Sequence, residues 1–415
     1  MSSVSESLSE PHVLAHAKRR LFPEDDQSDT YAVVDTQFAS EEWLAGQSVD
    51  ISVREMLAPF NHVRIGSGYP DLVGVRALEP ELLAVERLGD DPPLIAVEAK
   101  GVTEHGGVDT QWGIVQAYDR LNEANVAYVA VPHRAISETD RTLARELNVG
   151  VLGVDSTGGV EPVEIPRVVG NRTTDEATAI RFQASAQGVA DKSFGLNHPK
   201  NYLGYPLALY AEGPTERLLA NHKIVRAVGD ARRGAVFLGL VEKRPSGIGL
   251  TPLGREVVRF AKARYGSVTN ALCEFEDWYR SSRCFYDVAP NWGELARRVI
   301  FAYPATRLLV EEIQTLHEGG FDAPTLVELV LYLHEVHPTF TVELFLRGND
   351  DVRSRVLAAD GELREAVLRE GETYHSPTVF QLKAMLYHAG ILTARGTEPT
   401  NLDPTEDVWA LREQL

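Results

Sequence analysis

The chain has few of the residues and patterns that mark secreted, membrane or zinc-binding proteins. Its 415 residues include two cysteines, Cys273 and Cys284, which form neither a disulfide framework nor a zinc-binding pattern. The sequence contains no run of eighteen apolar residues, so we expect no membrane span. The first twenty residues are polar and lack the apolar core of a signal peptide. These absences predict a protein of the reducing cytoplasm.

Lysine is also scarce. The chain has 8 lysines against 33 arginines and 60 acidic residues, and its formal net charge is −19. An acidic, lysine-poor composition is typical of proteins from halophilic archaea, in which acidity says little about the binding partner. At molar salt the Debye length is roughly 3 Å, so the repulsion between such a protein and DNA is weak. The negative total therefore does not exclude a nucleic-acid-binding protein.

The charge is distributed unevenly along the chain. Residues 1–170 carry a net charge of −15, residues 171–265 carry +7, and residues 266–415 carry −11. A basic segment between two acidic ones is more informative than the total, because local positive charge is what attracts a polyanion. The middle segment is therefore the candidate for nucleic-acid binding.

Two short blocks carry charged residues on apolar strands. GYPDLVGV contains Asp71, and LIAVEAKG contains Glu98 and Lys100. Residues two apart on a strand share a face, so Glu98 and Lys100 would point the same way and Ala99 would point into the core. Paired carboxylates beside a backbone carbonyl are the oxygen ligands that a small divalent metal ion prefers. The pattern predicts a metal site with a lysine beside it.

A purely structural interpretation of these residues is also open. An Asp after a Pro is common in turns, and a Glu-x-Lys pair often forms a salt bridge on an exposed strand. The four apolar residues that precede Glu98 argue against this, because a buried strand that ends in charged groups usually leads into a site.

The order of elements around the two blocks predicts an α/β domain over residues 31–170. The first three expected strands are joined by short links and the last two by helices, which predicts a mixed sheet. The expected elements are a helix at 41–60, strands at 62–65, 71–75 and 94–99, a helix at 110–124, a strand at 127–132, a helix at 136–147 and a strand at 149–155. This order, with Asp71 and Glu98-Ala99-Lys100 on adjacent strands, resembles the restriction-endonuclease-like fold of the PD-(D/E)XK nuclease superfamily.

The resemblance implies specific roles. Asp71, Glu98 and the Ala99 carbonyl would hold Mg²⁺, or Mn²⁺ in its place, and Lys100 would assist the attacking water or the phosphate. Members of the superfamily often place a further acidic metal ligand on the helix before the first strand, which here points to Glu55.

Several related nucleases also place a Gln and a Tyr near the substrate, on the helix that follows the Glu-x-Lys strand. In this chain Gln116 is the candidate catalytic Gln, with Gln111 as the alternative, and Tyr118 is expected mainly in the core. His105, in the preceding loop, is expected to be a solvated loop residue.

The basic segment resembles a winged helix-turn-helix domain over residues 202–265. The run LGLVEK…GLTPLGREV is similar to a recognition helix, a wing and a closing helix. Arg232 and Arg233 would lie on the recognition helix, and Lys243 and Arg244 would enter the wing, where they could contact phosphates.

The remaining segments complete the expected organisation. These are a flexible N-terminus (1–30) with a short helix around 14–21, a linker (171–201), a helical domain (266–375) and a C-terminal winged-helix-like unit (376–415) that is not basic. The sequence as a whole predicts a metal-dependent DNA endonuclease that acts on duplex DNA in restriction, defence or repair, with a homodimer consistent with duplex cutting. The alternatives are a non-catalytic DNA-binding transcriptional regulator that keeps a nuclease-like fold and, with weaker support, a nuclease that acts on RNA.

Overall fold

The computed structural model describes residues 8–23, 30–39, 49–84, 92–103, 105–167, 174–187, 196–225, 227–244, 247–278, 283–348 and 350–413. The chain forms two compact units. Unit 1 consists of Met1–Gly188 and Leu333–Val367, and unit 2 consists of Val189–Tyr332 and Leu368–Leu415. Among the described residues, no helix combines the length and the apolar character that crossing a membrane requires.

Unit 1 contains a six-stranded sheet whose strands lie side by side in chain order. The strands are β1 (Tyr31–Val34), β2 (Leu72–Val75), β3 (Leu94–Ala99), β4 (Val126–Pro132), β5 (Gly150–Val154) and β6 (Val160–Glu164). β1, β2 and β3 pair antiparallel, β3, β4 and β5 pair parallel, and β6 pairs antiparallel with β5. The expected α/β class with a mixed sheet is thus confirmed.

Helices cover both faces of this sheet. They are α1 (Glu10–Leu21), α2 (Ile51–Leu57), α3 (Thr110–Arg120), α4 (Glu138–Leu147) and α5 (Asp175–Gln187). α1 and α2 pack on the face that carries Val97 and Ala99, whereas α3 and α4 pack on the face that carries Val129 and Val131. α5 packs on this second face over β1 and β2.

Within the first thirty residues, the helix expected around 14–21 is present and starts earlier than expected. α1 is 12 residues long, starts with Glu10 and Pro11, and buries Val13, Leu14 and Leu21 in the sheet core. Pro is favoured in the first helical turn, where its missing N–H has no helical partner to lose. The expected flexible terminus therefore contains the helix that covers one face of the sheet.

The first strand was wrongly expected at 62–65. The first strand is Tyr31–Val34, and the expected segment has only isolated bridges around it, Val34 to Phe60 and Ile65 to Gly68. β6 was not expected at all. The expected helix at 41–60 is described from residue 49 onwards and is helical over Ile51–Leu57, while residues 41–48 lie outside the described ranges.

Unit 2 begins with three helices, a two-stranded hairpin and further helices. They are α6 (Pro199–Tyr210), α7 (Thr215–Asn221), α8 (Val228–Phe237), β7 (Val241–Arg244), β8 (Gly247–Leu250), α9 (Pro252–Tyr265), α10 (Val268–Asp277), α11 (Phe285–Val288), α12 (Pro290–Ala302) and α13 (Pro304–Glu318). α6 is buried along most of its length and packs against α7, α8 and α9. The expected linker at 171–201 therefore includes α5 and the start of α6.

The chain then returns to unit 1. α14 (Leu326–Val336) leads into α15 (Pro338–Phe345) and α16 (Asp350–Val356), followed by α17 (Glu365–Leu368), and α18 (Ser376–His388) lies in unit 2. α15 packs against α5. The segment expected as one helical domain, 266–375, is thus divided between the two units.

Candidate functional site

The sheet topology gathers the ends of several strands at one edge of unit 1. Because β2 runs antiparallel to β1 and β3, the start of β2 lies beside the ends of β1 and β3. Asp71 directly precedes β2, Asp35 directly follows β1, and Glu98 lies near the end of β3, with Lys100 just beyond it. The ends of β4 and β5 lie at the same edge, because these strands run parallel to β3. We call this end of the sheet, where the candidate catalytic residues Asp71, Glu98 and Lys100 lie, the catalytic edge.

Asp71 is held firmly at the catalytic edge. Its side chain is 4% exposed, and the Ala99 backbone N–H donates to its Oδ2 at 2.7 Å. The Gln37 side-chain amide donates to Asp71 Oδ1 at 3.2 Å. The Asp35 backbone N–H donates to the Asp71 carbonyl at 3.0 Å. Neighbouring strands therefore fix the orientation of this carboxylate.

Glu98 is 2% exposed and faces two cations. Arg120, from the end of α3, donates through Nε to Glu98 Oε1 at 2.7 Å, and its Nη1 donates to the Ile65 carbonyl at 3.0 Å. Lys100 Nζ lies 4.0 Å from Glu98 Oε2. As expected, Ala99 points the other way, into the core beneath α1.

Glu10, at the start of α1, is a third acidic group at this site, and the sequence reasoning missed it. The Val102 N–H donates to the Leu8 carbonyl at 3.0 Å, which holds the start of α1 against the chain that follows β3. A Cβ atom at Gly101 would lie 2.0 Å from the Glu10 backbone nitrogen, so only glycine permits this approach. The pattern Ser9-Glu10-Pro11 is a helix-start signal that could have identified it.

The acidic groups titrate abnormally because they are buried together. Burial raises the pKa of Asp71 well above its usual value, and Glu98 raises it further, whereas Lys100 lowers it. Burial likewise raises the pKa of Glu98, and Arg120 and Lys100 offset part of this rise. The pKa of Glu10 is raised by burial, with Lys100 opposing and Glu98 adding to the effect. The three carboxyl groups of the cluster thus carry more negative charge than the two neighbouring cations, Arg120 and Lys100, neutralise.

The donor set fits a hard divalent cation. Asp71 and Glu98 offer carboxylate oxygens and Ala99 offers a carbonyl, the types of ligand that Mg²⁺ and Mn²⁺ prefer. A bound cation would favour the charged form of both carboxyl groups and so offset the burial that raises their pKa. Within the described ranges, no three His, Cys, Asp or Glu side chains form a ready-made metal cluster. The fit therefore rests on two carboxylates and a carbonyl, and Mg²⁺ usually fills its other positions with water.

The other expected site residues have different surroundings. Glu55 lies exposed on α2, and no contact among the described residues joins it to Asp71 or Glu98, so Glu10 is the better candidate for the additional acid. Gln116 is half-buried on α3, and its Oε1 is buried without a hydrogen bond to any described residue. Gln111 is exposed at the start of α3, and His105 is an exposed turn residue, as expected.

The buried face of α3 differs from the one expected. Tyr118, expected in the core, is 50% exposed, and Trp112 and Val115 are 56% and 42% exposed. The buried residues lie at the i, i+3, i+4, i+7 and i+10 positions of one helical face and are Thr110, Gly113, Ile114, Ala117 and Arg120. Arg120 thus occupies a position where the helical pattern predicts an apolar residue, and that mismatch is the sequence signal for its contact with Glu98.

A second polar group borders the carboxylates. Asp35 Oδ2 and His62 Nδ1 are 2.8 Å apart, and the His62 ring stacks on Tyr69 with 3.6 Å between ring centroids. The charge of Asp35 also contributes to the raised pKa of Glu98. Asp35, His62 and Tyr69 were not singled out from the sequence. Of these, His62 lies in the segment 62–65, which was assigned to a strand.

The four basic candidates lie in unit 2 and differ in their charge compensation. Arg232 is exposed on α8 and has no ion pair with another described residue. Arg233 pairs with Asp230 on the same helix, and Arg244 pairs with Glu242 on the same strand. Lys243 is exposed on β7.

No family model matches the chain, and neither the curated proteins nor the solved structures include one that is significantly similar to it.

Proposed function

We propose that unit 1 is a Mg²⁺-dependent nuclease centre that hydrolyses phosphodiester bonds. The observation that carries the proposal is the convergence of Asp71, Glu98 and Lys100 at the catalytic edge, where burial raises the pKa of both carboxyl groups. The order α1, β1, α2, β2, β3, α3, β4 contains the helix, three strands, helix and strand expected of the restriction-endonuclease-like fold, with α2 inserted between β1 and β2. This order supports that fold as the finer interpretation of the α/β unit.

Each residue then has a role that follows from its contacts. Bound Mg²⁺ would act as a Lewis acid on the phosphoryl oxygen and would lower the pKa of a bound water. Asp71, oriented by Gln37 and the Ala99 N–H, and Glu98, oriented by Arg120, would hold the ion. Lys100 would donate hydrogen bonds to the attacking water or to the developing negative charge on the phosphoryl group. Glu10 would accept a hydrogen bond from water at the same edge.

We assign the nucleic-acid contact to unit 2. The succession of α6, α7, α8, the β7–β8 hairpin and α9 supports a winged helix-turn-helix domain, and it lies in the segment with a net charge of +7. Arg232 on α8 and Lys243 on the hairpin are exposed and would contact backbone phosphates. Duplex DNA is the substrate that such a domain fits best.

A cleavage assay tests the proposal directly. Plasmid DNA is incubated with the purified chain at high KCl, with Mg²⁺, Mn²⁺ or EDTA. We expect cleavage with either metal ion and none in EDTA. We expect Lys100→Ala to reduce the rate by about 10²–10³, as for loss of one donor to a transition-state anion. Glu10→Ala tests the third acidic group in the same assay, and Glu55→Ala is its matched control. Because Glu55 lies outside the cluster, its replacement should leave the rate unchanged. Cleavage by Lys100→Ala at the wild-type rate would contradict the site assignment.

One observation favours a second function, that of a non-catalytic DNA-binding regulator. Arg120 already compensates one oxygen of Glu98, which weakens Glu98 as a metal ligand. Binding to duplex DNA without cleavage of DNA or RNA, in the presence of Mg²⁺ or Mn²⁺, would support the regulator instead. The expected homodimer stays a prediction, which sedimentation with and without duplex DNA would test.

A further inference from the structure

A cleft of about 500 Å³ lies at the catalytic edge, beside the carboxylates. Its walls come from the chain after β3, including Val102 and Val108, from the turn after β4, including His133 and Arg134, and from the chain after β5, including Asp155. In sheets with parallel strands, ligands bind at the carboxyl ends of the strands, where the loops diverge. This volume is in the range of small-ligand sites.

The cleft adjoins the carboxylate cluster through shared backbone. Leu8 and Val102 both line the cleft, and their backbone hydrogen bond fixes the start of α1, where Glu10 lies. β3, β4 and β5 are successive neighbours in the sheet, and adjacent strands lie about 4.8 Å apart. The loops of the cleft therefore begin within roughly 10 Å of the end of β3, where Glu98 and Lys100 lie.

The lining combines apolar walls with a cation. Val102, Val108 and Pro132 supply apolar surface. Arg134 is exposed at the cleft and forms no hydrogen bond or ion pair with another described residue. Its charge is therefore available to a ligand, in a chain segment whose net charge is −15.

Two other polar groups of the cleft, Asp155 and His133, already have partners. Asp155 Oδ1 accepts hydrogen bonds from the Thr157 N–H, the Thr157 hydroxyl and the Gly159 N–H, at 2.7, 2.6 and 2.9 Å. These bonds stabilise the turn after β5 and lower the pKa of Asp155. His133 Nε2 lies 3.8 Å from Glu161 Oε2. Among the described lining residues, Arg134 is thus the uncompensated cation that can recognise an anion.

We propose that the cleft binds the nucleotide next to the scissile bond, with the base and sugar against the apolar walls and the phosphate on Arg134. Arginine suits this role because its planar fork of N–H groups matches a phosphate in geometry and charge. The proposal rests on the proposed nuclease function, and it adds a substrate subsite on the β4–β5 side of the metal ligands. Arg134 would bind and position the substrate rather than take part in the bond cleavage.

Binding without cleavage tests the subsite first. The probe is a fluorescein-labelled single-stranded pentathymidylate, measured by anisotropy on Lys100→Ala protein in Mg²⁺. We expect Arg134→Ala to weaken binding about tenfold or more, as for loss of a charged hydrogen bond. Arg145→Ala is the matched control, because Arg145 is also a surface arginine of unit 1 but pairs with Glu164 at 2.5 Å. Ala135→Trp, which fills the cleft without removing a charge, should weaken binding similarly.

Cleavage kinetics provide the second readout. On the wild-type background, Arg134→Ala should raise KM for short substrates with little change in kcat, and Arg134→Lys should recover part of the loss. If Arg134→Ala has the same affinity and KM as Arg145→Ala, the subsite is overturned. The nuclease function would still stand in that case if the wild type cleaves the substrate. A third outcome separates the two proposals. If the pentathymidylate binds, Arg134→Ala abolishes this binding and the wild type cleaves nothing, the subsite is supported and the nuclease function is contradicted. No binding of the pentathymidylate by any variant would overturn the subsite.

Discussion

Two groups of buried carboxylates in unit 1 have sharply different surroundings. Glu343 on α15 is completely buried, and Arg353 on α16 donates to its two oxygens at 2.9 and 3.0 Å. Asn61 donates to the same carboxylate at 2.8 Å, so its charge and its lone pairs are matched by donors. The Glu343–Arg353 pair therefore connects α15 and α16 with a segment far away in the chain, because it also binds Asn61 and the Phe60 carbonyl.

The catalytic edge has the opposite arrangement. Asp71, Glu98 and Glu10 face two cations, Arg120 and Lys100, and all three carboxyl groups have a raised pKa. Buried charge that the protein does not neutralise costs stability, and it is retained where a ligand or a reaction uses it. The comparison teaches that the degree of compensation, rather than burial, separates a structural carboxylate from a candidate catalytic one.

The largest expected effect comes from breaking the compensated pair. Arg353→Met leaves Glu343 buried without its cation and should reduce the free energy of unfolding by about 3–5 kcal/mol. Urea denaturation measures this loss. The double variant Arg353→Met, Glu343→Leu should recover most of it, because it removes both charges. A double variant as unstable as the single one would show that packing, and not the charge, is responsible.

A buried histidine in unit 2 extends the comparison to pH. His388 is 1% exposed and accepts a hydrogen bond from the Phe285 N–H, and it faces His198 and the charge of Arg395. Burial, assisted by Arg395, lowers the pKa of His388 to about 4. The unfolded chain binds this proton more readily, so stability falls as the pH drops from 6.5 to 4, by about 3 kcal/mol at most.

The His388→Gln variant separates this contribution from the others. Between pH 7 and pH 4.5, the free energy of unfolding of this variant should fall by less than that of the wild type. Urea denaturation at each pH measures the two decreases. Parallel pH profiles for the two proteins would contradict the assignment.

Removing a charge at the catalytic edge should act in the opposite direction to Arg353→Met. In EDTA, Asp71→Asn should leave stability unchanged or raise it by about 1 kcal/mol, because it removes an uncompensated buried charge. Mg²⁺ at a hundred times its dissociation constant should stabilise the wild type by about 2.7 kcal/mol and the variant much less. Thermal unfolding with and without Mg²⁺ measures both effects. Equal Mg²⁺ stabilisation of both proteins would exclude Asp71 as a ligand.

The smallest effect is expected for the arginines of α8. Arg232 has no ion-pair partner among the described residues, whereas Arg233 pairs with Asp230. Arg232→Ala should weaken binding to any duplex sequence and reduce the slope of log affinity against log salt by about 1. Arg233→Ala should change the slope less, because its charge is already compensated. Anisotropy titrations of a labelled duplex over a KCl series test the difference, and equal slopes for both variants would contradict it.

Much of the sheet and the central residues could be predicted from the sequence. β2, β3, β4 and β5 are apolar runs bounded by turn residues, and the charges of Asp71, Glu98 and Lys100 stand out at strand ends. β1 is a run of only four residues whose pairing with β2 is set by contacts far along the chain. β6 contains Pro162, which strand rules disfavour except at an edge, and β6 is an edge strand.

The parts of the site that were missed depend on the three-dimensional arrangement. Glu10 lies more than sixty residues before Asp71, and only the packing of α1 brings it to Gly101. Arg120 was missed because Tyr118 was expected in the core, which placed the wrong side of α3 inward. Periodicity locates a helix well, but neighbouring positions differ by only about 100° around its axis.

The return of the chain to unit 1 affects how the protein is made. Gln183 on α5 donates to the Glu343 carbonyl at 2.7 Å, so the first segment of unit 1 needs α15 to complete its contacts. The ribosome must first synthesise the 144 residues of unit 2 that lie between, Val189–Tyr332, which at roughly 5–20 residues per second takes about 7–30 s. During that interval the nascent chain carries Asp71, Glu98 and Lys100 but lacks Glu343 and Arg353. We therefore expect the catalytic edge to mature after the basic segment has left the ribosome.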